Sequence, residues 1–160
     1  MQRLHRTDIA RRQLQTAVEL FLQGLDRSSV ITLAGAASNV LDSLVRRAGK
    51  EPFVDYARKV YDHVVGGTPK RRSYAHHIDL SLGVIAHKHL APTDPDVVEL
   101  DLEKHAADAL ARAIVDYTAL YGQDEPFVKA YLQWAWVNTD GPAQMEAFKS
   151  GPTKFRKRPK

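Results

Sequence analysis

Apolar residues recur at helical spacing in six stretches of this chain, parted by short polar breaks that carry glycine or proline. The first stretch predicts a helix over residues 7–25, with Ala10, Leu14, Ala17, Phe21 and Leu25 on one stripe and Thr7 or Asp8 as its cap. The second predicts a helix over 28–48, capped by Asp26 or Ser28 and stopped at Gly49, with Val30, Ala34, Ala37, Leu41 and Leu44 facing inward. The third opens on Pro52, where a missing N–H costs nothing, and runs through Phe53, Tyr56, Ala57, Val60 and Val64 to Gly66-Gly67. Ser73 caps the fourth, whose apolar face is Ala75, Ile78, Leu82 and Ile85; Pro92 and Pro95 bar any helix beyond Leu90. The fifth covers 102–121 and ends at Gly122. The sixth is led by Pro126, carries Phe127, Ala130, Tyr131 and Trp134, and stops by Gly141-Pro142.

Nothing in the pattern founds a sheet, since "VVEL" at 97–100 is too short. The expectation is an all-α protein: a single antiparallel bundle of five or six helices over 1–148, followed by a flexible tail over 149–160. The small residues of "LAGAAS", 33–38, let another backbone approach closely and predict a helix-crossing point. They do not form a phosphate loop, because no strand precedes them and the lysine is missing.

Composition narrows the classes. The 160 residues are 44% hydrophobic and 26% charged, the balance of an ordinary globular domain. No apolar run approaches the roughly 18 to 20 residues of a membrane span, and the N-terminal residues lack the apolar segment of a secretory signal. Cysteine is absent, which excludes disulfides, thiolate metal sites and cysteine nucleophiles. These features fit a cytoplasmic protein with no membrane partner. The net charge of +4 is uneven. Residues 149–160 hold six basic side chains and no acid, leaving 17 basic against 19 acidic elsewhere. A basic tail suits nucleic-acid phosphate, through Lys154, Arg156, Lys157 and Arg158. Lys70–Arg72 form a second basic step. Trp136, two positions from the inward Trp134, points to a rim, a protein partner or a homodimer contact.

Four of the seven histidines fall in "HHIDLSLGVIAHKHLAPTDPD", 76–96. On a continuous helix His76 and His87 share a stripe but stand about 16 Å apart, too far to hold one ion. Where the helix unwinds before Pro92, His87, His89, Asp94 and Asp96 form a candidate set for zinc or another first-row metal. The alternative is no cofactor, with His89 on the stripe of Ile78, Leu82 and Ile85, bordering the core.

Arg71 precedes His76 by five positions and Arg72 precedes His77 by five. This spacing resembles the arginine–histidine pattern of HEPN-type ribonucleases, small all-α dimers. The resemblance implies a metal-independent nuclease in which Arg71 or Arg72 steadies phosphate charge and His76 or His77 acts on the 2′-hydroxyl. Both arginines precede the Ser73 cap, so they are expected in the linker. A longer resemblance rests on "ITLAGAASNVLDSL" at 31–44, Lys88-His89, Asp94-Pro95-Asp96 and Asp116-Tyr117. Together these are similar to a group of small bacterial helical proteins without an assigned activity. That resemblance implies a self-contained helical domain with Lys88, His89, Asp94 and Asp96 as its candidate binding residues. The leading functional expectation is a helical binding module, with a ribonuclease and a His/Asp metal binder as the alternatives.

Overall fold

The computed structural model describes residues 1–143 and residue 146. Among the described residues the α-helices with defined bounds are α1 (Arg6–Leu22), α2 (Arg27–Arg47), α3 (Phe53–Val65), α4 (Arg71–Ser81), α5 (Leu102–Tyr121) and α6 (Pro126–Asn138). No strand occurs among the described residues, so the all-α class holds. The chain divides into two compact units, Met1–Gln123 and Asp124–Lys160.

In the first unit, α2 lies between α1 and α5 and packs along both. The inner stripes are fully buried: Ala10, Leu14 and Ala17 on α1, Val30, Ala34 and Leu41 on α2, Ala106, Leu110 and Ala113 on α5. Every stripe mixes alanine with larger side chains, which lets these backbones approach closely while the larger groups fill the gaps. Arg27 locks the start of this layer. Its Nε donates to Glu103 Oε2 at 2.5 Å, its Nη1 donates to the Phe21 carbonyl, and its guanidinium sits 4.4 Å from the Phe21 ring centre.

α3 and α4 pack against each other as a hairpin, and α3 also touches α5. Of α3 only Val54 is fully buried, and of α4 only Ile78. The hairpin is therefore attached to the core by its ends and edges.

Several boundaries differ from the sequence expectation. α1 starts before Thr7 because His5 Nδ1 accepts the Thr7 N–H, while the Thr7 hydroxyl pairs with Tyr121 at 3.0 Å. It stops at Leu22, not Leu25, because Gly24 turns left-handed and the Leu25 N–H closes back on the Leu20 carbonyl. α4 begins at Arg71, so both arginines lie in its first turn and not in a linker, and Ser73 is no cap. It ends at Ser81, nine residues short of Leu90. Gly83 takes φ +71 and the Val84 N–H closes on the Asp79 carbonyl. This reversal delivers Val84, 1% exposed, onto α2 at Gly35. What meets the small-residue stretch of α2 at Gly35 is thus the side chain of Val84 from the turn after α4, not a crossing helix. The stripe from His76 through Gly83 to His87 does not exist, and His89 is exposed, away from the core.

α2 is by length and composition apolar enough to cross a membrane, against the expectation that no such stretch exists, and half of that stretch is buried inside the protein. In the second unit α6 starts on Pro126 as expected, and its Tyr131 and Trp134 rings stack at 5.9 Å. Gly141 lies so close to the Trp136 ring that a Cβ there falls 2.5 Å from Cε3.

Candidate functional site on the two faces of α3

α3 is the most sharply two-faced helix of the chain. At 100° per residue, Asp55, Arg58, Lys59 and Asp62 fall on one side, while Phe53, Tyr56, Ala57, Val60 and Val64 fall on the other. Each side borders a concavity.

On the charged side lies an open cleft of about 670 Å³. Arg46 and Lys50 enter it from the end of α2, Arg58 and Lys59 from α3, and Arg71 from α4. Asp42 and Asp55 organise the wall. Asp42 accepts from Arg46 Nε at 3.1 Å and from Arg71 Nη2 at 2.6 Å. Asp55 Oδ1 accepts from Arg71 Nε at 2.9 Å and from Arg58 Nη1 at 3.3 Å. Arg58 also donates twice to the Pro69 carbonyl, which fixes the linker before α4. Burial alone works against the Arg71 cation, but Asp42 and Asp55 outweigh it and hold its pKa above the ordinary value.

Behind this wall a polar seam runs between α2 and α5. Ser38 and Asp42 lie one turn apart on α2, Arg112 and Asp116 one turn apart on α5, and all four are buried. Asp116 Oδ1 accepts the Phe53 N–H at 2.7 Å, while among the described residues Oδ2 has no hydrogen-bond partner, nor do Ser38 Oγ and Arg112 Nε. Burial pushes the Asp116 carboxyl up to about 6, and the charge of Asp42 adds to that; the Phe53 N–H, Arg112 and Arg71 oppose it. Arg112 pairs with Asp79 of α4. Lys88 lies beside them, its pKa lowered by burial and by Arg112 and raised by Asp79.

Comparison with protein-family models, curated proteins and solved structures finds no match for this chain. The site is therefore read from its own geometry.

On the apolar side of α3 lies a groove of about 430 Å³ with no charged residue in its lining. Phe53, Tyr56, Val60 and Val64 form its floor and Tyr74 of α4 one wall. Val64 is 75% exposed and Val65 61%. Tyr74 is tied back by its hydroxyl to the Ala57 carbonyl and by ring contacts to Tyr61 at 5.5 Å and His77 at 6.3 Å.

The residues singled out in the sequence separate. Arg71 and Lys88 join the polar seam from its two ends. Arg72, His76 and His77 are exposed on α4, with Arg72 and His76 one turn apart on the same face. His87 Nδ1 donates to the Gly83 carbonyl at 2.7 Å and braces the turn. Asp94 accepts from the Ala91 N–H at 2.7 Å and pins its own loop. Asp96 and His89 are exposed. Among the described residues no three of His, Asp and Glu come together as a metal-ligating group. Lys154, Arg156, Lys157 and Arg158 lie outside the described residues.

Sequence reasoning missed Asp42, Asp79 and Arg112, and used Asp116 only for a resemblance. The signal was present. Ser38/Asp42 and Arg112/Asp116 are polar pairs at i, i+4 set inside otherwise apolar stripes, a placement that buries them against each other.

Proposed function

We propose that this chain is a helical binding module that works as a pair of identical copies joined along the apolar face of α3. The observation that carries the reading is that face itself. α3 spends a full apolar stripe on a groove that its own core leaves open. A continuous exposed apolar patch is the ordinary mark of an interaction surface. A second copy fits because the stripe is self-complementary about Val60. Two antiparallel α3 helices place Val60 against Val60 and Tyr56 of each copy against Val64 of the other, with the charged faces turned outward. Burying the valines and Tyr56 drives the pairing, and the lost translational and rotational freedom of association opposes it. The basic run of Lys154, Arg156, Lys157 and Arg158 gives such a pair two tails suited to nucleic-acid phosphate.

The chain has no cysteine, so Val60→Cys creates a unique thiol. Mild oxidation should give a disulfide-linked dimer of Val60→Cys and none of Arg12→Cys, a substitution on the exposed side of α1. Equal cross-linking of the two, or none of either, contradicts the pairing.

A second reading has one observation in its favour. Arg72 and His76 share an exposed face of α4, which sets a guanidinium and an imidazole side by side, at a spacing of four positions where the resemblance to HEPN-type ribonucleases rests on five. Arg71 does not serve that reading as well, because Asp42 and Asp55 already hold its guanidinium.

A further inference from the structure

We propose that the cleft on the charged face of α3 is a binding site for oligophosphate anions, distinct from the basic tail. Five cations converge there from α2, the connection that follows it, α3 and α4: Arg46, Lys50, Arg58, Lys59 and Arg71. Three acids of the lining accompany them, Glu51, Asp55 and Asp62, and Asp42 accepts from both Arg46 and Arg71, so the cleft and its wall are net positive by one. The acids do not exhaust the donors. Among the described residues Arg46 uses only Nε, on Asp42. Lys50 makes one bond, to the Ala119 carbonyl at 2.6 Å, and Lys59 makes one, to Glu51. A guanidinium offers five N–H donors and an ammonium three, so most of the outward-facing donors of these side chains remain for a ligand.

The ligand class follows from what the lining contains. Guanidinium and ammonium groups together select phosphate, by paired hydrogen bonds and by charge. The excess is positive, so the cleft attracts anions. The lining holds no aromatic ring, so it offers no platform for stacking a base. What it can grip is the phosphate part of a ligand. The volume lies within the range of small-molecule sites, which is ample for several linked phosphates. Thr68 adds a hydroxyl to the rim. Two sources carry this chemistry, a free oligophosphate and the backbone of a nucleic-acid strand.

The experiment uses the full chain and two probes, inorganic tripolyphosphate by titration calorimetry and a fluorescent single-stranded RNA of about 12 nucleotides by anisotropy. One variant reverses the cleft, Arg46→Glu with Lys59→Glu, whose side chains are about half exposed, 48% and 58%. Its neutral form, Arg46→Gln with Lys59→Gln, stands in should the charge reversal disturb folding. A second variant replaces Lys154, Arg156, Lys157 and Arg158 with alanine. The expected result is tripolyphosphate binding that is equal in wild type and tail variant and at least about tenfold weaker in the cleft variant, with further loss as salt rises. RNA that is displaced by tripolyphosphate and weakened by the cleft variant identifies a strand backbone as the source. RNA indifferent to the cleft variant, with tripolyphosphate still sensitive to it, identifies a free oligophosphate. Absence of tripolyphosphate binding to wild type, or equal affinity in the cleft variants, overturns the proposal.

Discussion

The carboxylate of Asp116, on α5, accepts the backbone N–H of Phe53 at 2.7 Å and so fixes the first residue of α3 to the core. The anchor is a buried acid with one oxygen left unpaired. In the folded protein its pKa is about 6, against roughly 4 in an unfolded chain. The folded state therefore holds this proton over a range where the unfolded state has lost it. Its contribution is full below about pH 4 and is lost as pH rises through 6. Asp116→Asn keeps an acceptor for Phe53 and removes the titration. The variant should match wild type near pH 4.5 and exceed it at pH 8 by on the order of 1–3 kcal/mol, read from denaturant midpoints at each pH. A difference between the two proteins that does not change with pH contradicts this account of Asp116.

Gly35 is the notch that receives the turn after α4. A Cβ there lies 2.7 Å from Val84 Cγ1 and 3.3 Å from Lys88 Nζ. Val84 is buried and has little room to retreat. Gly35→Ala should cost roughly 1–3 kcal/mol, and Val84→Ala in the same chain should recover part of that. Thermal melts of the two single variants and the double variant measure the recovery. Additive losses would show that the two residues do not share the notch.

Arg71 joins two carboxylates from different helices, Asp42 at 2.6 Å and Asp55 at 2.9 Å. Removing it leaves a largely buried Asp42 with Arg46 alone. Arg71 is itself partly exposed, so the full penalty of a buried pair is discounted for solvent. Arg71→Ala should lose roughly 2 kcal/mol, while Arg72→Ala, one position on and exposed, should stay within about 0.5 kcal/mol. Equal effects would mean that the bridge does not hold α4 in place.

The ribonuclease reading makes a separable prediction. Labelled RNA incubated with EDTA should be cleaved by wild type and not by His76→Ala or Arg72→Ala, with unchanged melting temperatures in both. Cleavage that persists in both variants, or that never occurs, removes this reading and leaves the binding module untouched.

The sequence made the three core helices legible because their stripes are long and unbroken, as in Leu14, Ala17 and Phe21 or Leu110, Ala113 and Tyr117. The fold class followed from them. The end of α4 was not legible. Ile78, Leu82 and Ile85 continue the helical period past Ser81, yet Gly83 turns the chain because Val84 gains a buried place on Gly35. That gain is tertiary, and a one-dimensional period cannot show it. The histidines drew attention by their number, but His87 braces a turn and His89 is exposed. The charged side chains that the fold does assemble come from α2, α3, α4 and α5. Asp42 and Asp116 are far apart in sequence, and their common environment exists only after α2 packs on α5. The two faces of α3 were half legible. Its apolar stripe was legible, and the structure leaves Phe53, Tyr56, Ala57 and Val60 half-buried and Val64 exposed.

That open stripe is the centre of the account, and sedimentation equilibrium of the full chain tests it most directly. The chain has a mass of 17.9 kDa. At high protein concentration wild type should sediment at twice that mass, and Val64→Glu, which sets a charge against Tyr56 of the other copy, should sediment at the single-chain mass with its helicity intact. A wild type that stays at 17.9 kDa across the range, or a dimer that survives Val64→Glu, contradicts the claim that α3 is where two copies meet.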